Sequence, residues 1–302
     1  MSFHDIIDFT KPIVIAGPTA SGKSALALDL ARAHGGAILN ADALQVYARW
    51  RILSARPSGH ETAAVPHHLY GHVASKTAYS VGAWLRDLAA VMARLDGQLP
   101  IIVGGTGLYL SALVDGLADI PPVPAMVRTR AETMLEGKDG LAEMLAQLHR
   151  NDMTTWGKID RNNPARVQRA WEVLEATGRG LASWQQKTAP PLLARGRINA
   201  LLLEAPKAWL TPRIETRFRQ MVQNGALDEV RAALPDWNPA LPSSKAIGAP
   251  ELIAHLRGEI DLETAITRAA IATRQYAKRQ RSWFRARMGD WTHIDLSTGK
   301  CE

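Results

Sequence analysis

Short apolar runs alternate with amphipathic stretches along the first third of the chain, and their spacing predicts strands and crossover helices in turn. Pro12-Ile-Val-Ile-Ala16 reads as a buried strand, and the apolar positions from Ala25 to Ala31 as the first turns of a helix. Ala37-Ile-Leu-Asn-Ala41 is a short second strand that ends at Asp42. Residues 79–95 predict a helix, because Val81, Trp84, Leu85, Leu88, Val91, Met92 and Leu95 share one face at helical spacing. Pro100-Ile-Ile-Val103 is a further buried strand, closed by Gly104-Gly-Thr-Gly107. The pattern changes at Pro121, Pro122 and Pro124. Residues 125–184 then carry helical signals and few strand signals, Pro190-Pro191 closes that block, and residues 197–203 return to strand character. Helices are expected at about 211–224, 226–233, 249–257 and 262–287, with 291–295 as a last edge strand. The chain thus divides into a first core part (1–120), a helical insertion (121–194) and a segment that completes the core and adds basic C-terminal helices (195–302).

The turn after the first strand carries candidate chemistry. Gly17, Pro18, Thr19, Ala20, Ser21, Gly22, Lys23 and Ser24 complete G-x-x-x-x-G-K-[ST] between a strand and a helix, the context in which that motif binds phosphate. Its glycines let the backbone bend around an oxyanion, and successive N–H groups converge at the positive end of the following helix. Lys23 would bring a mobile charge to a diphosphate, and the Ser24 hydroxyl a ligand for Mg²⁺. The predicted fold is α/β, a P-loop NTPase-like parallel sheet core with helices on both faces and a helical insertion domain. In such sheets ligands sit at the carboxyl ends of the strands, where the loop, Asp42 and Thr106 would meet.

Composition narrows the setting. With 302 residues, 46% of them hydrophobic, the chain can build a substantial core. The acid-containing N-terminal segment does not read as a signal peptide, and no apolar stretch approaches the ~20 residues that span a bilayer. The one cysteine, Cys301, leaves no internal disulfide or cysteine zinc site, which fits a reducing cytoplasm. Net charge is +7, and its distribution says more than its sum. From Thr264 to Gly289 there is no acid, while Arg268, Arg274, Lys278, Arg279, Arg281, Arg285 and Arg287 fall inside that span. Interleaved with Tyr276, Trp283 and Phe284, this run suits RNA phosphates and bases; the alternative is a helix with its aromatics in the core and its charges solvated.

A motor or switch NTPase places a metal-binding acid at the end of a second core strand. Here that strand ends in Gly104-Gly105-Thr106, and no acid follows until Asp115. Asp42 is the acid that does end a strand. It is either a reacting carboxylate or a helix N-cap, and Thr106 is likewise either a ligand or a capping threonine. His67 and His68 are placed in a loop, where adjacent histidines do not suit joint metal binding.

At this point the sequence resembles the tRNA dimethylallyltransferase family along nearly its whole length. The resemblance rests on GPTASGKS (17–24), NADALQVY (40–47), VPHHL (65–69), YSVGAW (79–84), IIVGGTGLYLSAL (101–113), RIETRFRQM (213–221), AIG (246–248) and RQYAKRQRSWFR (274–285). It implies transfer of a dimethylallyl group from dimethylallyl diphosphate to N6 of an adenosine beside the tRNA anticodon, and it explains the missing strand-end acid, because no nucleotide is hydrolysed. On this resemblance the loop 17–24, with Lys23 and Arg217, holds the diphosphate; Asp42 takes the N6 proton; and Thr106 helps hold the reacting centre. Asp42, Ala43, Leu44, Gln45 and Thr106 would meet tRNA, as would Arg128, Ala165, Arg166, Val167, Gln168 and Arg169 of the insertion and Lys278, Arg279 and Arg281 of the basic helix. The implied partner is the tRNA anticodon stem-loop, gripped by a monomer, with its target base flipped from the stack. Departures from the family pattern occur at Ala43 (usually a hydroxyl residue), at Arg56 (usually lysine) and at Ala249-Pro250 (usually tyrosine-lysine). Three other readings share the phosphate loop: a kinase would not need the basic helix, an RNA-binding NTPase switch would require the metal-binding acid that is missing after the core strand, and a prenyltransferase acting on free AMP or ADP would need neither the insertion nor so much basic surface.

Overall fold

The computed structural model describes residues 6–295 and 300–301; the N-terminal residues 1–5 and the Cys301 side chain lie outside the described residues. The chain forms two units, residues 1–114 with 192–302, and residues 115–191. The first begins with β1 (Ile13–Ala16), α1 (Lys23–His34), β2 (Gly36–Asn40), α2 (Gly59–Ala64), β3 (His67–His68), α3 (Val81–Met92), β4 (Leu99–Gly104) and α4 (Gly107–Asp115). The second holds α5 (Ala125–Glu136), α6 (Gly140–Asn151), α7 (Met153–Lys158), α8 (Pro164–Thr177) and α9 (Leu181–Gln185). The first unit then resumes with β5 (Asn199–Glu204), α10 (Lys207–Met221), α11 (Leu227–Ala233), α12 (Ala249–Leu256), α13 (Leu262–Arg287), β6 (Thr292–Asp295) and β7 (Lys300–Cys301).

The sheet runs β3-β2-β4-β1-β5-β6-β7, parallel throughout except for β7, which is antiparallel to β6. Strand side chains alternate between faces, and here both faces are covered. Val14, Ala16, Leu39, Ile102 and Leu202 pack with Trp84 and Leu88 of α3 and with Leu110 and Leu113 of α4. Ile13, Ile15, Ile38, Ile101, Val103 and Leu203 pack with Ala27, Leu30 and Ala31 of α1. That is why these strands read as unbroken apolar runs. A third cluster joins Trp50 and Phe218 to apolar residues of α11, α12 and α13. The second unit has its own core, built on Ala131, Met144, Leu148, Val167, Ala170 and Trp171.

Two expectations change. His67 and His68 form a short strand beside β2 rather than a loop; two residues are too few for a periodic signal. Residues 292–295 are a strand, but β7 covers their outer side, so among the described strands they do not form the sheet edge. The helical unit begins at Asp115, ahead of the prolines that suggested its start, and ends at Pro191. Its stem is closed by Leu193 N donating to Leu113 O (3.1 Å) on the core side.

Candidate active site

The loop from Gly17 to Gly22 turns on two left-handed residues, Ala20 (φ 63°) and Gly22 (φ 90°). An alanine in that region is strained, costing about 1–2 kcal/mol relative to right-handed backbone. The strain is tolerated where the surrounding structure fixes the turn, as at ligand clamps. Gly17 is needed for space: a Cβ there would press on the Ser21 hydroxyl and Leu203. Lys23 opens α1, and its Nζ donates back to Pro18 O (3.3 Å). Ser24 is exposed beside it.

Opposite the loop, Asp42 follows β2 on a rigid support. Asn40, fully buried, accepts from Asp42 N at its Oδ1 (2.9 Å) and donates its Nδ2 to Asp42 O (3.0 Å) and Leu69 O (2.9 Å). Trp84 Nε1 donates to Asn40 O (2.8 Å). Asp42 Oδ1 accepts from Leu44 N (2.9 Å) and Gln45 N (3.4 Å), as an N-cap does, but a turn follows and no helix. One carboxylate oxygen is therefore held and the other has no protein hydrogen bond among the described residues. Thr106 also resolves unexpectedly: its Oγ1 accepts from Ala43 N (2.9 Å), so it ties the Asp42 turn to the end of β4. Gly104 closes the place where a strand-end acid would stand, since a Cβ there would collide with the Ala41 carbonyl.

The phosphate loop and the Asp42 turn border one cavity of about 660 Å³, whose lining includes Thr19, Ala20, Gly22, Lys23 and Ser24 of the loop, Asp42, Leu44, Gln45, Arg217 of α10, and Tyr276 and Gln280 of α13; Thr106 stands behind the Asp42 turn and outside that lining. Arg217 reaches it because Leu210, Ile214 and Phe218 set the buried stripe of α10 beside it. Charges share this space unequally. Desolvation pushes the Lys23 ammonium down to about 8, with Asp42 opposing the drop and Arg217 adding to it. Arg217 is likewise lowered by burial, against the pull of Asp42. Burial and then the Asp42 charge raise the Tyr276 hydroxyl, while bonds to Thr106 and Gln280 pull the other way. Two recessed cations that resist being charged, facing one carboxylate, form a site short of negative charge. A polyanionic ligand would supply it.

The sequence and the fold have counterparts among known proteins. Residues 45–287 match the IPP transferase family and residues 11–68 the isopentenyl transferase family. The chain belongs to the IPP transferase family. It is 62% identical over 284 residues to the tRNA dimethylallyltransferase of Dinoroseobacter shibae, covering 94% of each chain, and 56% identical to that of Paracoccus denitrificans, covering 96% of each. Among solved structures it is similar to a eukaryotic dimethylallyltransferase acting on tRNA (TM-score 0.81, 28% identity, covering 94% of this chain and 73% of that one). It is also similar to the tRNA isopentenylpyrophosphate transferase of Bacillus halodurans (TM-score 0.65, 30% identity, covering 94% and 89%).

Within this family member the remaining expected site residues are placed as follows. Lys278 and Arg279 are exposed on α13, with Arg279 over the Tyr276 ring; Arg281 is half-buried beside Pro18, next to Phe284. In the second unit Arg128, Ala165, Arg166 and Arg169 are exposed, and Gln168 Nε2 donates to Glu172 (2.9 Å). Val167 departs from the expectation. Its side chain is fully buried in that unit's core, on the inward face of α8, and cannot present itself to RNA. The family departures also have structural uses. Arg56 donates to Tyr47 O (3.0 Å) and Ala48 O (3.1 Å), Ala249 is buried, and Pro250 stands at the N-terminus of α12, where its missing N–H costs nothing. Sequence reasoning missed Asn40 and Gln280. A buried amide carries no periodic signal, and each sat inside a motif whose neighbours seemed more reactive.

Proposed function

We propose that the chain transfers a dimethylallyl group from dimethylallyl diphosphate to the exocyclic N6 amine of an adenosine in the tRNA anticodon loop, releasing diphosphate. The observation that carries this reading is the single cavity in which the phosphate loop, Lys23 and Arg217 face an aspartate held by Asn40 and Thr106. The N6 nitrogen forms a bond to the allylic carbon as the carbon–oxygen bond breaks, and the electron pair leaves with the diphosphate. Loop N–H groups, Lys23 and Arg217 stabilise the charge that develops there. Asp42 receives the N6 proton through its unengaged oxygen, within a turn that keeps the carboxylate in place.

A divalent metal fits the loop end of the cavity. The Ser24 hydroxyl is exposed there without a protein hydrogen bond among the described residues, and a diphosphate and water would complete an oxygen shell suited to Mg²⁺. Bound, it would add Lewis-acid stabilisation of the leaving diphosphate. RNA would lie on the basic face of α13 and on the exposed arginines of α8, with the adenosine flipped into the cavity. Among the described residues no helix is long and apolar enough to cross a membrane, and the reading places a monomer in the cytoplasm, where tRNA is found. Incubation with labelled dimethylallyl diphosphate and tRNA, AMP or buffer tests it. Label entering tRNA alone is the expected result; label in AMP, or phosphate transfer from ATP with unmodified tRNA, would overturn the proposal.

A further inference from the structure

Gln280 is the one large polar side chain of α13 that is buried, at 5% exposure, on a helix face otherwise filled by alanines, Ile266 and Phe284. A glutamine placed among apolar neighbours is costly unless both ends of its amide are bonded. Both are. Its Oε1 accepts from Thr19 N (2.8 Å) in the phosphate loop, and its Nε2 donates to Gly105 O (2.8 Å) at the end of β4. Gly105 has no room for a Cβ, because Nε2 occupies that place. The residue after Gly105 is Thr106, whose hydroxyl holds Ala43 N beside Asp42.

One amide thus spans the two halves of the cavity. On the leaving-group side it fixes the peptide that precedes the strained turn at Ala20. On the acceptor side it fixes the strand end from which the Asp42 turn is hung. We infer that Gln280 is a positioning residue that sets the separation between the diphosphate and the Asp42 carboxylate, acting through the loop and Thr106. This inference rests on the proposed transfer reaction and deepens it. A link of this kind governs how well two separately bound partners are aligned. Its loss lowers turnover far more than the binding of either partner, since a displacement near 1 Å costs about 100-fold.

Gln280→Ala and Gln280→Glu test the inference by steady-state transfer kinetics, with thermal melts recorded alongside. The glutamate keeps an acceptor for Thr19 N but, when ionised, turns a second oxygen toward the Gly105 carbonyl; protonated, it reproduces the donor. The titratable groups that share the cavity are Lys23 on α1, Asp42 after β2, Arg213 and Arg217 on α10 and Tyr276 on the same helix as Gln280, so each rate is divided by the wild-type rate at the same pH. The expected result is a kcat about 30- to 100-fold lower in both variants, with KM for either substrate changed less than about threefold. In Gln280→Glu alone, the relative rate should recover as pH falls. A folded variant with near-normal kcat, a loss confined to KM, or a glutamate variant with no pH-dependent recovery would each overturn the inference. So would a glutamate variant unfolded at every pH, which would make the amide an anchor of the fold only. Wild-type protein that fails to prenylate tRNA would instead remove the underlying reaction, so the two failures are separable.

Discussion

Lys23 gives the site a titration that can be measured without any chemistry. In the free protein its ammonium stands at about 8 instead of 10.5, because desolvation outweighs the attraction of Asp42. Diphosphate oxygens beside it reverse that balance and favour the charged form. Below pH 8 the free protein already carries the proton, so affinity for dimethylallyl diphosphate is flat. Above it the neutral amine dominates, and binding has to take up a proton from solution. Linkage then makes the apparent affinity fall by roughly tenfold per pH unit. At about pH 9 each binding event absorbs about 0.9 proton. Calorimetric titration with dimethylallyl diphosphate, in paired buffers of different ionisation heat between about pH 7 and 9.5, reads both quantities. Lys23→Met should bind more weakly, show no proton uptake, and lose the alkaline fall. A wild-type affinity that stays level to about pH 9.5, or equal uptake in Lys23→Met, would refute the assignment of this lysine to the diphosphate.

Other expectations follow from the same geometry. Asp42→Asn should lower transfer by ~10²-fold or more while dimethylallyl diphosphate binding stays within about threefold of wild type, checked by single turnover and calorimetry; near-normal turnover would remove Asp42 from the chemistry. Asn40→Leu strips three hydrogen bonds and leaves the buried Leu69 carbonyl unpaired, so chemical denaturation should report about 2–5 kcal/mol of lost stability. A loss under about 1 kcal/mol would contradict the support described for the Asp42 turn. Neutralising Arg279 and Arg281 together should weaken tRNA binding and flatten the slope of log affinity against log salt by about 1–2, with thermal stability little changed. An unaltered slope would assign that helix face to packing.

Much of this architecture was legible because the physics is local. The inner strands β1, β2, β4 and β5 read as apolar runs since both faces are buried, and α13 lies where its helical pattern was expected, at about 262–287, with Asp261 as its cap and buried alanines along one face. The phosphate loop announced itself through glycine spacing. What stayed hidden depends on distant partners. Asp42 looked like a cap because it accepts two backbone N–H groups, yet the turn it holds goes on to no helix. Thr106 looked like a ligand or a cap for its own helix, and its hydroxyl instead serves Ala43, far away in sequence. Gln280 lies in a run of arginines and lysines that draws attention to charge, while its own bonds reach back to Thr19 and Gly105. No window along the chain brings those groups together.

The stem at Leu113 and Leu193 has a consequence for how such a chain diversifies. Because the exit and re-entry points are already joined by a hydrogen bond across the base, the segment between them is, to the sheet, a loop whose ends meet. Lengthening a closed loop costs only about 0.6 kcal/mol for each doubling. Everything mounted beyond that junction can therefore be enlarged, trimmed or exchanged with small thermodynamic effect on the strands below, so this is a point where descendants of the fold are free to gain or lose whole helices.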